Sequence, residues 1–285
     1  MRRLVDLHTH STCSDGQYAP AEVVRLAEHR RLAAVALTDH DTLAGIAEAR
    51  TAADDCPELR FVPGIEVSAK FPHGTLHILG LGIDEKAPSI MRLAQRLRDA
   101  RNTRNPRMIK RLQSLGVDIG LQDVRAVAGA DDSDEQRIIG RLHMAETLRQ
   151  KGIVATTREA FDRYVGREAP AYVDKEKMDP AETIGAIRDA DGAAVLAHPV
   201  QLGVADDELE VIVRRFMDAG LNGIEAYHSD HSPRRTRLYM RLAERLGLFV
   251  SGGSDFHGSA KPDASLGKPR VPLSMAEPML SAVGC

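Results

Sequence analysis

Histidine and carboxylate residues recur in short motifs next to apolar segments of this chain. The sequence holds 11 histidines, and five of them fall at 6–10 (Asp-Leu-His-Thr-His), 38–41 (Thr-Asp-His-Asp), 197–199 (Ala-His-Pro) and 254–257 (Ser-Asp-Phe-His). Glu66, His77 and Glu225 lie in further apolar runs. Burying so many ionisable groups together is very costly without a cation to pair with them. Divalent ions remove this cost because they bind carboxylates and neutral imidazole, so the pattern predicts a metal site.

The spacing of His8 and His10 supports this prediction mechanically. Residues two apart on an extended segment point to the same side, so both imidazoles can reach one ion. The candidate ligands outnumber what one ion needs, and we therefore expect two or three ions. Histidine and carboxylate ligation without cysteine suits Mn²⁺, Zn²⁺ or Fe²⁺, and softness does not choose among them.

Seven apolar runs predict the strands that must position these residues. They cover residues 3–7, 34–38, 61–68, 76–83, 193–197, 223–227 and 248–252. Most are near-continuous stretches of Val, Ile and Leu, typical of strands buried on both faces of a parallel sheet. Helix-like segments alternate with them, which predicts an α/β fold, either an imperfectly closed barrel or an open doubly wound sheet. Active sites of such barrels lie at the carboxyl ends of the strands, where most of these histidines fall.

Two local expectations accompany this pattern. Asp41 precedes a predicted helix at 42–53 and is interpreted as its N-cap. The segment after His257 contains four prolines and is expected to be irregular.

Residues 85–178 interrupt the alternation and predict a helical insertion. Its helices are expected at 89–115, 133–151 and 156–164, so that residues 1–84 and 179–285 form the barrel. The insertion carries 19 lysines and arginines against 14 acidic residues, within a chain of net charge −3. Two interpretations stay open: a solvated helical surface, or a basic patch that attracts an anionic substrate.

Composition excludes several classes of protein. With 285 residues, 28% charged and 43% hydrophobic, the chain has ordinary globular values and is not expected to be disordered. No apolar run approaches the ~20 residues of a membrane span, and no secretory leader is expected. Three scattered cysteines suit a reducing cytoplasm. The net charge argues against a general nucleic-acid binder, and nothing in the sequence calls for an obligate protein partner.

The motifs together resemble the PHP (polymerase and histidinol phosphatase) family. The matching motifs are 6–11, Asp15-Gly16, 38–41, 64–66, His77, 197–199 and 254–257, in that order. The resemblance spans nearly the whole chain apart from the insertion. It implies a distorted (β/α)₇ barrel with a trinuclear metal centre. Within the family, the length and the insertion resemble small bacterial phosphoesterases that act on 3′,5′-nucleoside bisphosphates or degrade RNA from its 5′ end.

The resemblance also implies which residues bind each ion. The first ion is held by His8, His10, Asp255 and bridging Glu66, the second by Glu66, His77 and His198, and the third by Asp15, His40 and His257. Some relatives carry histidine where this chain has Asp15, and a carboxylate there favours a harder ion such as Mn²⁺. A metal-bound water held by Glu66, Asp255 and His257 is expected to attack phosphorus. Asp39 and Asp41 are expected to be supporting or capping residues.

Basic residues of the insertion are candidates for substrate binding. Arg101 lies one helical turn before Arg104 in an arginine-rich predicted helix. Arg141 and His143 match an Arg-x-His unit of the bisphosphatase-like relatives. Arginine forks suit bidentate phosphate binding, and His231 precedes a helix start, which also favours anions. We expect the insertion to cap the metal site and to bind a phosphate remote from the one that is cleaved.

The leading prediction is a phosphoesterase acting on a nucleotide or a short oligoribonucleotide. The main alternative is a histidinol-phosphate phosphatase or another small phosphomonoesterase, although a cationic substrate matches a basic insertion poorly. An amide-bond hydrolase and a non-catalytic, polymerase-associated PHP module are further alternatives.

Overall fold

A computed structural model describes residues 3–130 and 137–285 of the chain. Two compact units are present, one of Met1–Ala94 with Met178–Cys285 and one of Gln95–Lys177. No helix within the described ranges combines the length and the apolar character needed to cross a membrane.

The first unit is built on one sheet. In the described residues its strands follow the order β7-β6-β5-β4-β3-β2-β1-β8. All seven predicted strands are present, and β8 is a two-residue addition that the sequence analysis missed. The strands are β1 (Leu4–Asp6), β2 (Ala34–Leu37), β3 (Arg60–Ala69), β4 (Leu76–Leu81), β5 (Ala193–Leu196), β6 (Gly223–Tyr227), β7 (Phe249–Gly252) and β8 (Val271–Pro272).

The sheet is mixed, which corrects the expectation of a parallel one. The trio β1, β2 and β3 and the trio β5, β6 and β7 are parallel. Strand β4 runs antiparallel to both β3 and β5, and β8 runs antiparallel to β1. Only residues 70–75 join β3 to β4, and a parallel pair needs a crossover of a dozen or more residues. The short connection therefore forces the antiparallel pairing.

Hydrogen bonds between the end of β1 and the segment after β7 nearly close the sheet into a barrel. The Leu7 amide donates to the Gly252 carbonyl at 3.0 Å, and the Asp255 amide donates to the His8 carbonyl at 2.9 Å. A Cβ atom at residue 253 would lie 2.4 Å from the His8 backbone nitrogen, so glycine is required there. The predicted α/β class and barrel-like architecture are confirmed.

Alternation along the strands divides the apolar residues between two cores. In β2, Ala34 and Ala36 pack with residues of the other strands, whereas Val35 and Leu37 pack with the helices that follow β1 and β2. This two-sided burial is the pattern of a strand covered on both faces. The helices of the unit are α1 (Pro20–His29), α2 (Ile46–Asp54), α7 (Pro180–Arg188), α8 (Asp206–Asp218), α9 (Pro233–Leu246) and α10 (Leu273–Ala282).

The segment after His257 is only partly irregular: residues 261–270 form no helix or strand, but β8 and then α10 follow them. Helix α10 contains Pro278 and contributes Ala276, Met279 and Leu280 to the core formed by the strands. Burial of this apolar face outweighs the loss of one backbone hydrogen bond at the proline.

The second unit is helical. Helix α3 (Pro88–Ser114) continues into it from the first unit and is followed by α4 (Leu121–Val127), α5 (Arg141–Gln150), α6 (Thr157–Ala160) and a π-helical turn at Phe161–Val165. Its core includes Met108, Leu112, Met144 and Leu148. The helix predicted at 133–151 is seen as α5, and residues 133–136 of that prediction lie outside the described residues.

Candidate metal centre

The buried histidines and carboxylates meet at one edge of the barrel. His8 and His10 follow β1, His40 follows β2, His198 follows β5, and Asp255 and His257 follow β7. Glu66 lies within β3, and His77 is the second residue of β4. Because β4 is antiparallel, it begins at the edge where the parallel strands end. His77 therefore joins the same group.

A first cluster consists of His8, His10, Glu66 and Asp255, all of them buried. The Nε2 atoms of His8 and His10 each lie 3.3 Å from Glu66 Oε2. They lie 3.5 and 3.1 Å from Asp255 Oδ1. The four ligand atoms are within 4.8 Å of one another, so the residues expected to hold the first ion come together.

Glu66 also joins a second cluster through its other oxygen. Glu66 Oε1 lies 2.7 Å from His77 Nδ1 and 2.9 Å from His198 Nε2, and the two nitrogens are 3.2 Å apart. His40 Nδ1 lies 2.8 Å from Glu66 Oε2. Glu66 is thus placed to bridge two cations.

The third cluster contains Asp15, His40 and His257 together with His10. His257 Nε2 lies 3.2 Å from Asp15 Oδ1, whereas His10 Nδ1 is 4.0 Å from the same oxygen. Rings of His10 and His257 stack with centroids 4.1 Å apart. All nine predicted ligands are thus gathered into these three overlapping groups.

Several buried ligand atoms have no hydrogen bond among the described residues, which tests whether cations fit. They are His8 Nε2, His10 Nε2, Asp15 Oδ1 and Glu66 Oε2. Native proteins pair nearly all buried polar atoms. Atoms of this kind, in sets that offer both nitrogen and carboxylate oxygen, match the ligands of a divalent transition-metal ion. The residues present fit two or three such ions.

The electrostatics of the centre favour bound cations. Burial alone would raise the pKa of Glu66, but His40 and His8 outweigh it and hold this pKa well below its usual range. Asp255 and Asp15 likewise have pKa values well below normal, because nearby histidines outweigh burial. Burial lowers the pKa of His77 to about 4. The carboxylates are therefore ionised and His77 is neutral near pH 7, the forms that bind metals.

An outer layer of hydrogen bonds orients these ligands. Glu225 is fully buried, and its Oε1 lies 2.9 Å from His8 Nδ1. Its Oε2 accepts from the His198 amide at 2.7 Å. A carboxylate on the far nitrogen of a ligating histidine fixes its tautomer and its direction. This explains why His8, Glu225 and His228 form a further cluster without requiring another ion.

Two further side chains lie against Oδ2 of Asp255. Lys261 Nζ donates to Asp255 Oδ2 at 2.7 Å, and His228 Nε2 lies 3.4 Å from the same oxygen. Oxygen Oδ1 of Asp255 is the one that faces the first cluster. The sequence analysis assigned no individual role to Glu225, His228 or Lys261. The position of Glu225 and His228 near the end of β6 could have marked them as residues of the centre. No sequence pattern pointed to Lys261.

Asp39 and Asp41 support the loops and are absent from the ligand clusters of the described residues. Asp39 accepts hydrogen bonds from the Ser11 amide and from the Ser11 and Ser14 hydroxyls. Asp41 is not a helix N-cap, because α2 begins after Gly45. Its carboxylate instead accepts from the Ser68 amide at 2.9 Å.

Strained backbone is concentrated at this centre. Asp41, His198 and Asp255 have positive φ angles of 58°, 23° and 55°. Residues other than glycine rarely adopt such angles, and each costs on the order of 1–3 kcal/mol. The surrounding hydrogen bonds hold these three side chains in place at that cost.

The predicted substrate residues of the insertion form a second group. Arg101 and Arg104 are 8% and 4% exposed. The Arg104 Nε atom donates to Asn105 Oδ1 at 2.9 Å. The Arg141 guanidinium lies 5.3 Å from the centre of the Tyr172 ring. His143 Nδ1 accepts from the Gly140 amide at 3.1 Å.

Arg141 lies among other arginines of the second unit. Burial lowers the pKa of its guanidinium, and the neighbouring Arg101 and Arg167 lower it further, although Tyr172 and Asp174 oppose them. Buried arginines gathered in this way favour an anionic ligand. His231, by contrast, lies in the first unit, at the end of the loop between β6 and α9.

This fold and these clusters define a metal-binding α/β-barrel protein. A sequence model of the PHP domain matches residues 6–166, and the chain belongs to the PHP family. It is 34% identical over 268 residues to a 3′,5′-nucleoside bisphosphate phosphatase of Chromobacterium violaceum, covering 92% of this chain and 90% of the relative. It is 32% identical over 257 residues to a 5′-3′ exoribonuclease of Haemophilus influenzae, covering 90% and 91%.

A solved structure shows the same architecture. A protein from Bifidobacterium adolescentis, provisionally described as a metal-dependent phosphoesterase, superposes with a TM-score of 0.88 at 31% identity. The superposition covers 98% of this chain and 96% of that protein. The predicted membership of the PHP family is confirmed.

Proposed function

We propose that this protein is a metal-dependent phosphoesterase that hydrolyses nucleotide phosphate esters. Its substrates are the 3′-phosphate of 3′,5′-nucleoside bisphosphates, the 5′ end of short RNA, or both. The observation that carries the proposal is the buried ligand set around Glu66, whose two oxygens face different clusters. The names of the relatives, a bisphosphate phosphatase and a 5′-3′ exoribonuclease, support the substrate class.

The chain's own residues would divide the work as follows. His8, His10, Asp15, His40, Glu66, His77, His198, Asp255 and His257 hold the cations. When bound, divalent ions supply Lewis acidity at phosphoryl oxygens and lower the pKa of a coordinated water. Glu66, Asp255 and His257 fix the position from which that water attacks. Glu225 and Lys261 keep the ligands of the first cluster oriented.

Arg101, Arg104, Arg141 and His143 bind a substrate phosphate other than the one that is cleaved. Buried guanidinium groups form strong bidentate hydrogen bonds with phosphate oxygens. The proposal therefore favours a substrate with two phosphates over a cationic phosphomonoester such as histidinol phosphate.

We propose Mn²⁺ as the physiological ion because Asp15 adds a carboxylate to the third cluster, and carboxylates suit Mn²⁺. We also propose the reducing cytoplasm as the site of action, since three scattered cysteines, an odd number, do not suit a disulfide framework.

The test is a comparison of substrates with chelator-treated protein that has been resupplied with Mn²⁺. Adenosine 3′,5′-bisphosphate, a 5′-phosphorylated oligoribonucleotide and histidinol phosphate are assayed in parallel, and products are identified by chromatography. Release of inorganic phosphate with 5′-AMP supports the phosphatase, and stepwise release of mononucleotides supports the exonuclease. Turnover of histidinol phosphate alone contradicts the proposal.

A pair of variants links the activity to the clusters. His10→Asn removes a ligand shared by two clusters and is expected to abolish turnover. His29→Asn replaces an exposed histidine of α1 and is expected to leave turnover unchanged. Equal activity of both variants would contradict the assignment of the site.

A further inference from the structure

The loop between β6 and α9 carries buried polar atoms without hydrogen bonds. His228 and His231 are 1% and 9% exposed. The Nε2 atoms of both histidines and the Ser229 hydroxyl make no hydrogen bond among the described residues. His228 Nε2 lies 3.4 Å from Oδ2 of Asp255, a ligand of the first cluster. His228 Nε2 therefore lies beside the metal centre. The Ser229 hydroxyl and His231 Nε2 belong to the same loop, and as buried polar atoms they need a partner.

Backbone contacts give the two histidines opposite hydrogen-bonding roles. The Asp230 amide donates to His228 Nδ1 at 3.0 Å, so the ring proton of His228 is on Nε2. His231 Nδ1 lies 3.0 Å from the Ala226 carbonyl oxygen. A carbonyl only accepts, so the ring proton of His231 is on Nδ1, and Nε2 presents a lone pair.

His231 keeps this acceptor role at neutral pH. Burial lowers the pKa of His231 to about 4, so the imidazole stays neutral. Its ring packs on Tyr239 with centroids 4.9 Å apart, which fixes its orientation. A phosphate dianion offers no proton to such an acceptor. His231 is therefore a poor phosphate ligand, contrary to the expectation drawn from its place before a helix.

A donor and an acceptor side by side match a hydroxyl group, which can accept from one and donate to the other. The ring centroids of His228 and His231 are 5.2 Å apart. The two imidazoles are therefore neighbours, as a donor and an acceptor for one hydroxyl group must be. The Ser229 hydroxyl offers a third polar contact in the same loop.

In a nucleotide cleaved at its 3′ oxygen, the neighbouring hydroxyl is the ribose 2′-OH. We infer that His228 and His231 form a subsite for this 2′-hydroxyl and make the centre selective for ribonucleotides over 2′-deoxyribonucleotides. The inference rests on the proposed function, because it takes the phosphate on the 3′ oxygen as the one that reacts.

The test compares kcat/KM for adenosine 3′,5′-bisphosphate and its 2′-deoxy analogue. The wild type is expected to prefer the ribonucleotide by about 10- to 100-fold, since the analogue leaves buried groups unpaired. His231→Phe keeps the packing on Tyr239 but removes the acceptor, and the preference is expected to fall to about one. His231→Gln keeps an acceptor and is expected to retain part of the preference. His29→Phe, the matched control on α1, is expected to behave as the wild type.

Binding of the products provides a second measurement for variants that turn over slowly. Calorimetric titration with 5′-AMP and 2′-deoxy-5′-AMP is expected to show the same loss of preference in His231→Phe. A wild type that does not discriminate, or a His231→Phe variant that discriminates as well as the wild type, overturns the inference. If the wild type hydrolyses neither bisphosphate but hydrolyses another phosphoester, the proposed function fails first, before any variant is compared.

Discussion

Replacing Glu225 by glutamine perturbs metal binding without removing a ligand. Glu225 uses one oxygen for His8 Nδ1, at 2.9 Å, and the other for the His198 amide, at 2.7 Å. Both partners require an acceptor. A glutamine has one acceptor oxygen and must turn its NH₂ group toward one of them, either against the His198 N–H or toward His8 Nδ1. In the second case His8 places its proton on Nε2, the atom that faces the first cluster.

The expected magnitude follows from this conflict. Loss of a carboxylate behind a metal-ligating histidine costs about 10- to 100-fold in metal affinity, or about 1.4–2.7 kcal/mol. We expect Glu225→Gln to weaken Mn²⁺ binding by that factor. Activity is expected to recover substantially at saturating Mn²⁺, because all nine ligands remain.

The assay is calorimetric titration of chelator-treated protein with Mn²⁺, with thermal unfolding as a check on folding. Glu210→Gln is the matched control, since Glu210 pairs with Arg214 at 2.8 Å on the surface of α8 and is expected to have no effect. Wild-type Mn²⁺ affinity in a folded Glu225→Gln variant would refute the reasoning. So would a deficit that saturating Mn²⁺ does not reduce.

Three other predictions concern acid stability, loop support and substrate binding. The pKa of His231 lies near 4 when folded, below its unfolded value of about 6.5. The unfolded state therefore binds the extra proton, and metal-free protein loses up to about 1.4 kcal/mol per pH unit from this group as pH falls from 6.5 to 4. Denaturant unfolding of His231→Phe should show a shallower decline, and an unchanged slope would count against this account. Asp39→Ala removes an acceptor of three hydrogen bonds and should lower the free energy of unfolding by about 2–4 kcal/mol. A loss below about 1 kcal/mol would contradict the supporting role of Asp39. Arg141→Ala should raise KM for the bisphosphate about tenfold or more, measured against Arg149→Ala, whose partner is Glu146 on the surface; equal KM values would remove Arg141 from the substrate site.

Strand positions and the convergence of the histidines were predictable because both depend on local pattern. Apolar runs of five to eight residues marked β1 to β7, and His8-x-His10 marked a shared direction. Strand direction was not predictable from those runs, since an apolar segment has no polarity. The antiparallel course of β4 follows from the short connection at 70–75, and it places His77 beside Glu66.

Other features depend on contacts between distant parts of the chain. Asp41 has the residue type and position of an N-cap, but its carboxylate accepts a hydrogen bond from the Ser68 amide, 27 residues away. Helix α10 contains a proline and was expected to be irregular, yet its apolar face packs on the strands. The supporting role of Glu225 required the positions of His8 and His198. The role of Lys261 required the position of Asp255.

The most direct test of the central claim is a titration of chelator-treated protein with Mn²⁺, in which bound metal and phosphate release from adenosine 3′,5′-bisphosphate are measured on the same samples. The three clusters are linked, because Glu66 belongs to the first and second and His10 to the first and third. We therefore expect activity to rise with bound metal and to reach its plateau at two or three equivalents per chain. Full activity in the presence of chelator, with no metal bound, would contradict the account.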